Sequence, residues 1–320
     1  ELRKIQKYIV YTLIRSKMFD KFRYNGKFQL LIDGTGLVSF NQKHCDHCLV
    51  RKHSDGHFSY EHHVLEAKLV FDSFVLSIDS EFIENPNPDV INIKKQDCEM
   101  KAFKRMAIRL KKNFPKLSFI ITGDALYASG PFIKLCLDNN WDFMFRLKSD
   151  KLRTVNQDFD GLIAINSGSI HKNYFVVNDY QYNQYKFNII RFIEQIGHKK
   201  DKTFTFITSL PVTDNNIKCL IEMGRRRWKI ENHGFNNQKN ILFNISHMCS
   251  LNYNAMKVHY FFTQFAHTIR QLLDFGSTLV KAFQGKIKEI SFAILNELIS
   301  SHVSVSLNHN FQLRFDMLII

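Results

Sequence analysis

The sequence predicts an α/β fold in which a mixed β-sheet is flanked by helices. Apolar strands at Leu117–Thr122 and Phe143–Leu147 enclose a helix over Pro131–Asn140. Such a unit indicates that the two strands run parallel, because the helix supplies the crossover that parallel strands require. Two further apolar runs, Val64–Phe71 and Phe74–Ile83, are separated by a two-residue turn and predict an antiparallel hairpin.

Two aspartates follow buried strands, each beside a glycine. Phe28–Asp33 is a short apolar run that ends in a carboxylate, and Gly34 follows it at once, so we expect Asp33 at the exit of a strand. Gly123 and Asp124 repeat this arrangement after the next strand of the parallel unit. Asp124 is therefore expected at the carboxyl edge of the sheet, where α/β active sites lie. The alternative for both is a strand-ending aspartate that caps a turn.

The other elements divide the chain into four parts. We expect an N-terminal helical segment over 1–24, a first part of the catalytic core over 25–150, a β-rich insertion over 151–216 and the second part of the core with C-terminal helices over 217–320. Residues 94–113 predict a helix with a lysine-rich face, and 286–299 predict another. A long helix over 254–275 is predicted with these residues facing inward: Val258, Phe262, Phe265, Ile269 and Leu272.

The net charge narrows the choice of partner. A formal charge of +14 and a pI near 9.4 favour an anionic partner, either nucleic acid or a membrane surface. No apolar run approaches the roughly 20 residues of a membrane span, and no signal peptide opens the chain, which favours nucleic acid. Six cysteines without a dense pairing pattern fit a reducing cytosol. Because the chain begins with Glu1 and not with Met, we expect it to be part of a longer product.

A basic stretch near residue 230 surrounds one glutamate. Arg227 and Glu231 are four residues apart and share a face if the stretch is one helix. Trp228 and Phe235 share a neighbouring face that can dock on a core. One interpretation is a carboxylate held among cations for chemistry, and the other is a simple ion pair between Glu231 and Arg227.

A block of histidines and cysteines follows the first strand. Cys45 and Cys48, with His44 and with histidines further along the chain, supply enough ligands for a tetrahedral zinc site. A single Cys-x-x-Cys motif is a weaker signal than two paired motifs. The alternative is a polar loop with two free cysteines.

Asp33, Asp124 and Glu231 all carry carboxylates, and magnesium prefers such oxygen ligands. Hard divalent cations bind through a few carboxylates, phosphate and water. Two such ions about 4 Å apart hold the attacking and the leaving oxygen of a phosphoryl transfer. Three carboxylates from separate elements can supply such a cage, provided that the fold brings them together.

Three motifs of the chain resemble those of bacterial insertion-sequence transposases of the DDE type. They are Leu31-Ile32-Asp33-Gly34-Thr35, Gly123-Asp124-Ala125-Leu126-Tyr127-Ala128, and the run from Arg227 to Asn236; the resemblance extends through Tyr253-Asn254-Ala255-Met256-Lys257. It implies an RNase H-like fold, with the β-rich insertion before the third catalytic residue. It also implies that Asp33, Asp124 and Glu231 bind two Mg²⁺ or Mn²⁺ ions.

The resemblance further implies metal-dependent cleavage of double-stranded DNA at transposon ends, followed by transfer of the 3′-hydroxyl to target DNA. It implies DNA contacts by Arg226, Arg227, Trp228 and Lys239, a homodimer in the active complex, and a bacterial cytoplasm with the protein at the nucleoid. Residues 1–24 would represent the helical DNA-binding region that precedes the catalytic domain in such relatives.

The chain departs from the family pattern at two positions. Gly224 stands where many relatives have Tyr, and Gln238 stands where they have Lys, with Lys239 next to it. Two other functions stay open from the sequence. One is a metal-dependent nuclease of the same fold that cuts without joining, and the other is an inactive DNA-binding relic of a transposable element.

Overall fold

The computed structural model describes residues 1–72, 74–85, 96–165, 173–196, 199–227, 230–241, 243–247, 249–275 and 296. Within these ranges, the side chains of residues 196, 199–200, 230–233, 237, 241 and 275 are not described. The predicted helix at 286–299, the predicted start of a helix at residue 94 and Trp228 lie outside the described residues.

The described part of the chain contains six α-helices and nine strands. The α-helices are α1 Leu2–Arg15, α2 Glu99–Asn113, α3 Gly130–Asp138, α4 Arg153–Ile165, α5 Ile217–Arg225 and α6 Tyr253–Phe275. A short 3₁₀ turn covers Asp20–Phe22, and a π-helix, named π1, covers Ile230–Ile241. The strands are β1 Phe28–Phe40, β2 Leu49–Lys52, β3 Phe58–Phe71, β4 Phe74–Ile83, β5 Phe119–Gly123, β6 Asp142–Leu147, β7 Tyr174–Tyr182, β8 Tyr185–Ile196 and β9 Lys199–Thr208.

One mixed sheet of nine strands runs through the described part of the chain. Its centre has the order β4-β3-β1-β5-β6, in which β4, β3 and β1 are antiparallel and β1, β5 and β6 are parallel. Every residue of β4 and β5 is buried, which explains the apolar sequence of β5, whereas β4 also buries polar residues such as Asp79 and Glu81. This RNase H-like arrangement confirms the predicted fold class, the hairpin and the parallel unit.

The region after residue 150 extends the same sheet. Strand β9 pairs antiparallel with β6, β8 pairs with β9, and β7 pairs with β8. The predicted β-rich region over 151–216 holds these three strands and also α4, Arg153–Ile165, a helix that the sequence analysis did not predict. The buried residues of this helix are Val155 and Phe159, and many of the others are polar. Its buried apolar residues are therefore too few to give a clear helical pattern in the sequence.

Strand β1 is longer than the sequence predicts. It continues through Gly34 and Gly36 to Phe40, so Asp33 lies inside the strand and the prediction that it lies at the exit was wrong. The physical reason is the long partner strand β3, whose ladder with β1 runs from Leu69 to Tyr60 and satisfies the backbone beyond Asp33.

The predicted inward face of α6 was wrong at three of its positions. Val258, Phe262 and Ile269 are exposed, whereas Phe265 is buried. In the part of α6 before residue 265, the buried side chains include Tyr253, Met256, Tyr260 and Gln264. Several of these make hydrogen bonds in the interior, which apolar periodicity does not detect.

The chain divides into two compact units, Glu1–Gln264 and Phe265–Ile320. In the first unit, α1 lies against β4, and Gln6 Nε2 donates a hydrogen bond to Ser77 Oγ at 2.9 Å. In the second unit, Arg270 Nε donates to Asp274 Oδ2 at 3.0 Å. Among the described helices, none combines the length and the apolar character needed to cross a bilayer.

Candidate active site

Asp33 lies within β1, and Asp124 directly follows β5, the parallel neighbour of β1. The ladder between β1 and β5 ends with Leu31 opposite Thr122. Asp33 and Asp124 are therefore each two residues beyond its last pair. Neighbouring strands are about 4.8 Å apart, so the ladder brings the two backbones side by side at the carboxyl edge of β5.

Three carboxylates near this part of the sheet affect the pKa of the Tyr127 hydroxyl group. Burial raises the pKa of Tyr127 well above its usual range, and the charges of Glu99, Asp33 and Asp124 raise it further. The contributions of Asp33 and Asp124 are smaller than that of Glu99, and all three carboxylates act on the same hydroxyl group.

Glu99 is the acidic residue that sequence analysis missed. Tyr127 donates a hydrogen bond to Glu99 Oε2 at 3.0 Å, and a Cβ atom on Gly34 would overlap the Glu99 carboxylate. Burial raises the pKa of Glu99, the hydrogen bond from Tyr127 lowers it, and the charge of Asp124 raises it. Its one sequence signal is weak: a lone glutamate opens the basic helix α2.

Asp124 also closes the turn that follows β5. Its Oδ1 accepts a hydrogen bond from the backbone N–H of Leu126 at 2.8 Å. This is the turn-capping role that the sequence offered as the alternative to a catalytic one. The two roles are compatible, because a carboxylate has about four acceptor sites.

Basic side chains approach Asp33 from two elements. Arg227 Nη1 lies 3.6 Å from Asp33 Oδ2. Burial lowers the pKa of Lys239, and the charge of Asp33 opposes that effect. Burial also lowers the pKa of Arg146 on β6, and the nearby charge of Arg227 lowers it further. The carboxylates thus face a group of cations, the arrangement that a phosphate group requires.

An open cleft of about 410 Å³ lies between β1 and π1. Its lining residues are Asp33, Gly34, Thr35, Phe235, Asn236, Lys239 and Asn240. Phe235 fixes π1 at this place, because its buried ring packs with Leu31, Val70 and Val75. The cleft therefore runs from the acidic strand edge to the C-terminal half of π1.

Arg227 and Glu231 are not on one helix, so the prediction that they share a helical face was wrong. Helix α5 ends at Arg225, Arg227 lies in a turn, and π1 begins at Ile230. Arg227 pairs with Asp33 instead. Glu231 is the second residue of π1, four residues before Phe235, which is close to one π-helical turn. Its side chain lies outside the described residues.

The structure explains both departures from the family pattern. A Cβ atom on Gly224 would overlap the ring of Phe206, so Phe206 fills the space beside that position. Gln238 is fully buried and accepts a hydrogen bond from Lys68 Nζ at 3.2 Å. Gln238 is therefore part of the protein interior, and the next residue, Lys239, lines the cleft.

The remaining predicted residues lie elsewhere. Arg226 is half-buried at the end of α5, where its backbone N–H donates to Glu222 O at 2.9 Å. Cys45 and Cys48 lie beside His44 and His62, apart from the cleft residues named above.

Part of the chain matches a known protein family. Residues 92–269, just over half of the chain, match the family described as transposase DDE domain. The match includes Asp124 and position 231, whereas Asp33 precedes it. No curated protein gives a match. Among solved structures, the NurA nuclease from Sulfolobus solfataricus aligns with a TM-score of 0.33 and 10% identity over 70% of this chain and 82% of that one.

Proposed function

The chain belongs to the transposase DDE domain family, and from this premise we propose that it cuts DNA at transposon ends and joins the freed ends to target DNA. The observation that carries the proposal is the shared sheet edge of Asp33 and Asp124, with the Glu231-bearing helix π1 packed on β1. The group of cations around Asp33 supports a phosphate substrate.

Asp33, Asp124 and Glu231 would hold two Mg²⁺ or Mn²⁺ ions in this proposal. The donors fit these ions, because all three are carboxylates and hard cations prefer oxygen. The electrostatic effect of both aspartates on the Tyr127 hydroxyl supports their closeness. When bound, the ions would stabilise the attacking and the leaving oxygen of an in-line displacement.

The protein side chains position the DNA. Arg227, with its planar fork of donors, would bind a backbone phosphate next to Asp33, and Lys239 would contact the same strand from π1. Tyr127 donates a hydrogen bond to Glu99, and the Glu99 carboxylate lies against Gly34, one of the residues that line the cleft. Glu99 would thereby help to position the strand that carries Asp33.

Neither step of the proposed reaction needs an external energy source. In cleavage, a water oxygen bonds to phosphorus while the bond to the 3′ oxygen breaks, which yields a 3′-hydroxyl and a 5′-phosphate. In joining, that 3′ oxygen bonds to a target phosphorus, and a target 3′ oxygen leaves. One phosphodiester is exchanged for another, and no protein nucleophile takes part.

The test compares carboxylate variants on DNA that carries the ends of the element encoding the chain. Asp33→Asn, Asp124→Asn and Glu231→Gln should each abolish cleavage, while the circular dichroism spectrum and DNA affinity stay close to wild type. Glu222→Gln, an exposed glutamate on α5, is the matched control and should cleave normally. A Glu231→Gln protein that cuts at the wild-type rate would falsify the assignment.

A joining assay with pre-cut ends separates the proposed function from its two alternatives. A transposase joins such ends to target DNA in Mg²⁺ or Mn²⁺. A nuclease of the same fold cuts intact ends but yields no joined product, and an inactive relic binds the ends and does neither. The proposed homodimer is checked in the same experiment by the mass of the complex on paired ends.

A further inference from the structure

A second cluster of metal-ligating side chains lies away from the acidic edge. The ligand atoms of His44, Cys45, Cys48 and His62 all lie within 4.8 Å of one another. His62 pairs with Val38 on β1, five residues beyond Asp33. At about 3.4 Å per residue, this separates the two places by roughly 17 Å along the strand. The cluster is therefore not part of the cleft at Asp33.

The distances among three of the four ligand atoms match those of a tetrahedral site. Cys45 Sγ lies 3.8 Å from Cys48 Sγ, and His62 Nε2 lies 3.4 and 3.5 Å from the two sulfurs. Zinc bonds of about 2.3 Å to sulfur and about 2.0–2.1 Å to nitrogen, at tetrahedral angles, give about 3.8 Å between sulfurs and about 3.5–3.6 Å between sulfur and nitrogen. A disulfide is excluded, since it needs about 2.05 Å.

We propose that His44, Cys45, Cys48 and His62 bind one structural zinc ion. Two thiolates and two imidazoles form a closed set of four protein ligands, which is the composition of structural zinc sites. Cys48 is 2% exposed and His62 is 1% exposed, whereas His44 and Cys45 are partly buried, so the site lies at the border of the interior. The buried Nδ1 atom of His44 has no hydrogen-bond partner in the described part of the chain, which suits a ligand atom.

Aromatic packing orients the His62 ring. The ring of Tyr253 stacks on His62 with 4.6 Å between centroids, and on His47 with 4.7 Å. Phe40 meets the His62 ring edge-on at 6.1 Å. The ring is therefore fixed by packing on two sides, and its Nε2 faces both sulfurs.

The zinc site would connect the loop after β1 to the beginning of α6. Tyr253 donates a hydrogen bond to Glu84 Oε1 at 2.9 Å, and Lys257 Nζ donates to the same oxygen at 2.8 Å. The backbone N–H of Asn85 donates to His47 O at 3.1 Å. A metal that fixes residues 44–48 on β3 thus also supports the first turn of α6, the segment around Tyr253 and Lys257 that the family resemblance includes.

Metal content of the purified full chain tests the proposal. Protein expressed with zinc in the medium should hold about one equivalent, and the content should fall severalfold in Cys45→Ser, Cys48→Ser and His62→Ala. Cys98→Ser and Cys219→Ser, at exposed cysteines, and His57→Ala are matched controls that should keep the metal. Retention of zinc by the ligand variants would overturn the assignment.

Three measurements on the wild type decide the question even if a ligand variant does not fold. Cobalt exchanged for zinc should produce thiolate charge-transfer absorption, and bound metal should protect Cys45 and Cys48, but not Cys98, from alkylation. On removal of the metal, hydrogen exchange should rise at 44–48 and at 253–257. A folded wild type that holds no zinc, takes up no cobalt and shows equal alkylation of all three cysteines would contradict the proposal.

Discussion

At the scale of single residues, two glycines determine which side chains fit behind the acidic edge. A Cβ atom on Gly34 would overlap the Glu99 carboxylate, and one on Gly123 would overlap the Tyr127 ring. Each glycine precedes or follows one of the two aspartates. The sequence suggested a tight turn at these places, but the actual need is room for the hydrogen-bonded pair Glu99 and Tyr127.

Gly34→Ala should displace Glu99 and lower cleavage at least about tenfold, with a loss of about 1–3 kcal/mol in the free energy of unfolding. Gly36→Ala is the matched control on the same strand, because its added Cβ would lie 3.5 Å from the His63 ring, an ordinary contact. Cleavage rates and urea unfolding measure both effects. Equal behaviour of the two variants would show that the space at Gly34 does not matter.

Arg227→Ala should weaken binding of DNA ends and slow cleavage more than Lys112→Ala does. Arg227 lies 3.6 Å from Asp33, so its fork can clamp a phosphate beside the carboxylates, whereas Lys112 is exposed on α2. We expect at least about tenfold in cleavage rate for Arg227→Ala and less than about twofold for Lys112→Ala. Similar losses in both variants would show that Arg227 contributes only its charge and makes no specific contact with a phosphate.

At the scale of elements, a buried polar network connects β3, β4, π1 and α6 beneath the cleft. Lys68 Nζ donates to Gln238 and to Gln264, each at 3.2 Å, and lies 3.8 Å from Glu66. Glu66 accepts from Ser77 at 2.6 Å and from Tyr260 at 2.8 Å. These hydrogen bonds hold π1 and α6 on the strand that pairs with β1 at Asp33.

Lys68→Met should lower the free energy of unfolding by about 3–5 kcal/mol, because it leaves the charge of Glu66 buried without its cation. Adding Glu66→Gln should recover part of this loss, so the two substitutions are not additive. Lys134→Met removes an exposed ion pair to Asp138 and should change stability by less than about 1 kcal/mol. Additivity within about 0.5 kcal/mol would contradict the coupling of Lys68 and Glu66.

Apolar strands were predictable from the sequence, and polar interiors were not. The hairpin and the parallel unit follow from runs of buried residues, such as β5, which tertiary contacts reinforce. The inward face of α6 was predicted wrongly because Gln264 and Tyr260 are buried through hydrogen bonds and not through apolar character. Likewise, no glycine or proline directly after Arg225 predicts that α5 ends there.

At the scale of the whole molecule, charge and topology act together. The chain carries a formal charge of +14, and part of that charge gathers near the acidic edge in Arg146, Arg227 and Lys239. The topology explains why two aspartates distant in sequence lie at the same level of the sheet, since β1 and β5 are neighbours in one parallel ladder. Glu99 lies on α2, which is not part of a strand ladder. Its place beside Tyr127 is therefore visible only in the three-dimensional structure.

DNA affinity should fall steeply with added salt. If about six phosphates are contacted, the log–log slope of the binding constant against salt should be roughly −5. Fluorescence anisotropy across a salt series measures the slope, and Arg227→Ala should reduce its magnitude by about 1. A flat response to salt would contradict a phosphate-binding role for the basic surface.

The central claim is that Asp33, Asp124 and Glu231 bind two divalent ions at one site. Anomalous scattering from crystals of the protein with a pre-cut DNA end and Mn²⁺ tests it most directly. We expect two manganese peaks about 4 Å apart, close to Asp33, Asp124 and Glu231. Absence of manganese at Asp33 and Asp124, or a Glu231 carboxylate more than ~10 Å from either aspartate in that complex, would contradict it.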